Sequence, residues 1–125
     1  MAINYSDWLE PRILDHITGT SALTMPTNLY IKNHIGDPGE AGTANPAAET
    51  TRVIMSFAAA VGNLKATNAD IDWASPAASE TWSWWSVWDH LTAGNFWYSN
   101  TYDSPHVVTL GQPVKLPSGL FSLTS

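Results

Sequence analysis

The sequence predicts a mainly β protein, a β-sandwich or jelly-roll-like domain preceded by a short N-terminal amphipathic helix. Two observations predict it. From residue 27 onward, short runs alternate apolar and polar residues with period two, and Gly, Pro and Asn turn signals recur every ten residues or so. Ahead of them, Leu9, Ile13 and Ile17 recur at i, i+4 and i+8, the spacing of one helix face. No internal repeat and no second domain is visible. The expected organisation is one domain over 1–125, with a helical segment in 1–20 and the sandwich in 27–125.

The helix is expected over 5–18. Asn4 or Ser6 suits its cap, Asp7 and Glu10 its positive end, and Gly19 its stop. Pro11 either bends it or opens its regular part. The run 27–35, "TNLYIKNHI", sets Leu29, Ile31, Asn33 and Ile35 against Tyr30, Lys32 and His34, which is a strand. Residues 36–50 form a long loop rich in Gly, Pro, Ala and Asn, and loops of that length are usually functional or mobile. Residues 51–61 read as a strand with Val53, Met55 and Phe57 on one side. Residues 62–75 hold a turn and two short extended pieces. Residues 81–90 form a strand, 91–95 a hairpin-like turn and 96–102 the return. Strands follow around 106–110, 114–116 and 120–124, with bends at Gln112-Pro113 and Pro117-Ser118-Gly119.

Charge bounds the partners. Eleven acids against five bases give a net charge of −6, which argues against phosphate-mediated nucleic-acid binding and against an anionic membrane surface. No apolar run approaches the roughly twenty residues of a membrane span. Cysteine is absent, so disulfides and thiolate metal sites are excluded. Only 13% of residues are charged, against about a quarter in ordinary domains. That low charge and the seven tryptophans suggest a surface partly covered by a partner. The start "MAINYSDWLEPR" lacks a secretory pattern, so synthesis in a host cytoplasm is expected.

Four tryptophans crowd "ETWSWWSVWDH". On a regular strand Trp82, Trp84 and Trp88 share one side, while Trp85 and Val87 lie on the other with Ser83 and Asp89. Both faces are then bulky, although an outer sandwich face should be polar. Either a bulge between Trp84 and Trp85 shifts the phase, or the second face is covered. Three covers are open: the N-terminal helix, a neighbouring subunit, or a flat ligand such as a sugar ring.

No catalytic constellation emerges. Common nucleophile, phosphate-loop and zinc-protease motifs are missing, and His16, His34, His90 and His106 have no informative spacing. Asp70 and Asp72 lack the further oxygens of a calcium site and read as a solvated strand end. Asp37 and Glu40 read as turn residues. No catalytic, cofactor-binding or metal residue is assigned.

Taken in order, the segments resemble a family of small bacteriophage virion proteins, labelled tail-fibre proteins or head (capsid) decoration proteins. The resemblance spans nearly the whole chain. It rests on "WLEPRILDHITGT", on "MPTNLYIKNHIGDPGEAGT", on "TTRVIMSFAAAVGN" with an arginine ahead of an apolar strand, on "NADIDWASPAASETWSWWSVWDHLTAGNFWYS", and on the closing "HVVTLGQPVKLPSGLFSLT". Family members carry smaller residues where Trp82, Trp84 and Trp85 stand. The resemblance implies a non-enzymatic structural role without cofactors. The first expectation is a capsid decoration (cement) protein on the capsid exterior that clamps major capsid protein subunits. The alternative is a tail-fibre or tail-associated protein, and a carbohydrate-binding module using exposed tryptophans comes third. A homo-oligomer is expected, trimer before dimer. The candidate interface residues are Trp8, Pro11, Asp37, Pro38, Trp82, Trp84, Trp85 and Trp88, with segment 1–20 and loop 36–50 reaching the partner.

Overall fold

The computed structural model describes residues 4–124. Residues 1–3 of the expected helical segment, and residue 125, lie outside the described residues. The order is β1 (Asn4–Tyr5), α1 (Glu10–Ile17), β2 (Leu29–His34), β3 (Val53–Met55), β4 (Leu64–Ala66), β5 (Ile71–Trp73), β6 (Glu80–Trp88), β7 (Phe96–Val108), β8 (Val114–Leu116) and β9 (Ser122–Thr124). The protein is mainly β, as expected. An antiparallel sheet runs β1-β7-β6-β2-β3, and two small sheets pair β4 with β9 and β5 with β8. The small sheets supply a second layer. Trp73 of β5 meets Trp82 of β6 edge-on at 5.2 Å, and Phe121 meets Trp85 at 5.5 Å.

The helix is shorter than expected. Its regular part is Glu10–Ile17, with Pro11 in the first turn, where a missing N–H costs nothing. A turn over residues 7–9 leads in. Ser6 organises it: its Oγ accepts the Leu9 N–H at 3.1 Å, and its own hydroxyl donates to the Phe96 carbonyl at 2.6 Å. The first turn is thereby tied to β7. Gly19, at φ +77°, ends the helix as expected. The Gly19 N–H reaches the His16 carbonyl and the Thr20 N–H the Asp15 carbonyl, the paired bonds of a Schellman stop. Leu9 is buried and Ile13 half-buried, but Ile17 at the far end of the same stripe is exposed.

The tryptophan strand differs from expectation in phase. Against β2 its pairing is regular from Trp84 to Trp88. Against β7, β6 advances from Trp82 to Trp84 while its partner jumps from His106 to Thr101. The irregularity therefore falls at Ser83, between Trp82 and Trp84, and not between Trp84 and Trp85. It moves Trp82 onto the face of Trp85 and Val87, and leaves Trp84 and Trp88 on the other. The same irregularity merges the expected strands 96–102 and 106–110 into one, β7, whose residues 102–105 leave the ladder. A bulge lets a long strand bend and keep burying both halves.

The core face carries Ile31, Trp82, Trp85, Val87 and Tyr98, closed by Ile71, Trp73, Leu116 and Phe121. The opposite face is also buried: His34, Ser86, Trp88, Phe96 and Ser99 are all inaccessible. Within the chain, its cover comes from loop 36–47, a cover the sequence reading did not include, with Ser6 ahead of α1 tied to the Phe96 backbone beside it. The loop closes on itself. The Ile35 N–H donates to the Asn45 carbonyl, the Ala44 N–H to the Pro38 carbonyl, and Asn45 Nδ2 to the Asp37 carbonyl. Compact closure of this kind is how a long loop stays ordered. Gly42, at φ +75°, lays its backbone on the Phe96 ring, and a Cβ there would sit 2.6 Å from Cγ.

Two carboxylates order the following segment. Glu80 accepts the Ala48 and Glu49 N–H groups and the Trp82 indole N–H. Glu49, itself buried, accepts from the backbones of Thr51 and Ala77. Sequence patterning gives no sign that Glu80 reaches Ala48 and Glu49 or that Glu49 reaches Ala77, because these partners are about thirty residues away.

Candidate interaction surface

The eight candidate interface residues do not form one patch. Trp82 and Trp85 are fully buried in the chain's own core, and Trp88 is buried on the opposite face between Phe96, at 5.3 Å, and the Arg52 guanidinium. Pro38 is buried within that loop. Asp37 is exposed, but its Oδ1 accepts the Gly39 N–H at 2.8 Å, as in an ordinary Asx turn. Trp84 is half-exposed on the loop-covered face, cross-strand from His34 and Thr101. Trp8 and Pro11 lie together at the start of α1, Pro11 exposed and Trp8 half-buried. The Trp8 ring packs on Trp97 at 5.5 Å, and the Arg12 guanidinium stands 4.2 Å above it. Beside this stack lies a shallow hollow lined by Trp8, Arg12, Asp15 and Leu23.

What remains apolar and exposed concentrates in part on the same segment. Leu14 is 59% exposed, Ile17 70% and Met25 85%. Leu14 and Ile17 are three residues apart on α1, so they share an outward face. Such residues signal an interaction site only when grouped.

The hairpin turn after the tryptophan strand is held from both sides. Asp89 accepts the Asn95 backbone N–H at 2.7 Å, the Asn95 side-chain amide at 3.0 Å and the Trp97 indole N–H at 3.1 Å. Partial burial pushes the Asp89 carboxyl up, but these bonds outweigh it and hold its pKa below the usual carboxylate range. Gly94, at φ +80°, leaves no room for a Cβ beside Asp89 Oδ1. Arg52 donates to the His90 and Ala93 carbonyls at 2.8 and 2.7 Å while lying 4.2 Å above the Trp88 ring. A lysine cannot stack flat on an indole and span two carbonyls. Arg52→Lys is expected to cost about 1–2 kcal/mol, read as a lowered Tm.

The histidines occupy four separate environments. His16 Nδ1 accepts the Leu23 N–H, His90 Nδ1 accepts from Thr92 and Ala93, and His106 lies edge-on to Tyr102 at 4.6 Å. His34 is buried beneath the loop. Among the described residues, no group of three or more His, Asp or Glu side chains is placed to hold a metal. Asp70 accepts the Ser118 N–H and stands 3.9 Å from Lys115, which makes it a turn cap with an exposed ion pair. Glu40 is crowded by Asp7 first, and by Glu10 and Asp37, which hold its carboxyl above the usual range. These acids bring α1 and the loop to one exposed corner.

A family model described as podophage GP4 fiber I protein gp80 matches residues 4–124. The chain belongs to this family. It is a structural fiber protein of a bacteriophage particle, small and tail-fibre-like in type. The match runs through α1, loop 36–47 and every strand of the fiber protein, so the family pattern covers the whole described fold. A search of curated proteins returns no match.

Proposed function

We propose that this fiber protein is a non-enzymatic subunit of the phage tail, joined to its neighbours through the N-terminal segment. The observation that carries the tail placement is the family match across residues 4–124. It favours the fibre over the capsid exterior, where the sequence reading had first placed the chain. The joining surface is the outward face of α1 that carries exposed Leu14 and Ile17. The sheet anchors the helix that presents this surface: Trp97 on β7 packs on Trp8, just ahead of α1. A homo-oligomer, trimer before dimer, is the expected assembly, since closed symmetry is the rule for repeated subunits.

Electron-microscopic reconstruction of particles with and without this chain tests the placement. A small number of copies on the tail is the expected result. Hundreds of copies on the capsid exterior would restore the decoration reading and end the fibre one. The joining surface has its own test in Leu14→Glu combined with Ile17→Glu. Both sites are exposed, so the Tm of the isolated chain is expected to change little, within about 0.5 kcal/mol per site. Light scattering is expected to show loss of the oligomer. An oligomer that survives the double substitution places the contact elsewhere.

A further inference from the structure

Loop 36–47 covers its sheet face through a histidine that only the neutral form satisfies. His34 is fully buried at the end of β2. Its Nδ1 lies 2.9 Å from the Ala44 carbonyl and its Nε2 2.7 Å from Ser86 Oγ. The Trp88 indole N–H donates to the same Ser86 Oγ at 2.9 Å.

The donors and acceptors fit one arrangement. A carbonyl only accepts, so His34 Nδ1 carries the proton and donates to Ala44. Nε2 is then a lone pair. Ser86 already receives the Trp88 N–H, so its hydroxyl hydrogen turns to Nε2. The relay runs Trp88 to Ser86 to His34 to Ala44, with every group satisfied and no charge buried.

We propose that His34 is an acid-sensitive latch for loop 36–47, whose release uncovers Phe96 and frees the Ser86–Trp88 end of the relay. Protonation gives the ring its second N–H, at Nε2, against the Ser86 hydroxyl hydrogen. Ser86 must turn away, and a buried cation is left behind. The charged groups acting on the ring make this worse. Lys32 on the same strand and Arg52 beside β3 are both cations and favour the neutral ring, while the Ala44 and Asn45 carbonyls act the other way without overcoming desolvation. Desolvation first, and then these cations, hold the His34 pKa below its ordinary 6.5.

The direction follows from linkage. The closed loop binds fewer protons at His34 than the open one. Closure is at full strength above about pH 6.5 and weakens as pH falls from there toward the lower folded value. The loop's Glu40 acts oppositely: Asp7 first, with Glu10 and Asp37, crowds its carboxylate, and protonating it relieves repulsion.

Hydrogen exchange of residues 36–47, corrected for intrinsic rates, compares pH 7.5 with pH 5.5 on the full chain. Opening is expected to increase by up to about tenfold per pH unit below 6.5. His34→Gln is expected to flatten that dependence, and His106→Gln to leave it intact. Equal protection at both values, or an unchanged dependence in His34→Gln, overturns the latch. Nitrogen-15 NMR of the unmodified chain at pH 7.5 tests it without a substitution. A His34 proton on Nδ1 is expected, and a proton on Nε2 alone rejects the relay.

Discussion

Trp85→Ala is expected to lower stability by about 3–5 kcal/mol, the range for deleting a large buried aromatic. For a marginally stable domain, that is a large share of the total. Trp85 has no exposed surface, and its ring meets Tyr98 at 6.0 Å and Phe121 at 5.5 Å, both edge-on. It therefore joins the five-stranded sheet to the second layer at the centre of the core. Trp85→Phe separates volume from polarity. The Trp85 indole N–H has no acceptor among the described residues, and Phe removes that donor while keeping a ring. Its cost is expected to be about half that of the alanine change or less, because the relieved N–H offsets part of the cavity. Chemical denaturation of both variants measures the difference. A Trp85→Ala chain that is as stable as the parent, yet fails to assemble, would return Trp85 to an interface role.

Gly42→Ala is expected to cost about 2–4 kcal/mol, from left-handed backbone strain together with overpacking. A single methyl group is added on the protein's outside layer, where substitutions ordinarily change little. Here the backbone lies on Phe96 at φ +75°, and the new Cβ would fall within 3 Å of three ring atoms. The ring is buried in its turn against Trp88, so neither partner yields easily. Tm should fall by roughly 10 °C, and exchange in residues 36–47 should rise with it. If exchange rises in the loop alone and global stability holds, the cover is a separable unit. If neither changes, the loop does not rest on Phe96.

The parts legible in the sequence were those encoded by neighbours in the chain. Gly19 marked the helix stop because capping chemistry is local, and it holds that place, whereas of the two offered caps Asn4 lies in β1 and Ser6 caps the turn ahead of α1. The alternation of 29–34 gave β2, and the turn at 91–95 gave the hairpin that joins β6 to β7. The phase of the tryptophan strand was not legible. An irregularity is a mismatch between two strands, so one strand read alone shifts it by a residue or two. The cover of the second face was not legible either. The Gly- and Pro-rich composition of 36–50 reads as a mobile loop, while its order comes from long-range pairs such as His34 with Ser86, 52 residues apart.

The sequence by itself determined that this protein is β-rich, that a short N-terminal helix stops at Gly19, and that its segment order resembles a phage virion family. Those properties follow from backbone preference, local hydrogen bonding and the order of motifs, all of which act over a few residues. Only the tertiary structure decided which tryptophans are core, which lie on the opposite sheet face, and how little of Trp82, Trp85 and Trp88 is left for a partner. An indole is large enough to serve as a core anchor or as an interface anchor, and its residue type is the same in both. The choice between them depends on what the rest of the chain brings against it: Phe121 and Trp73 on one face, and the backbone of Gly42 with Arg52 on the other.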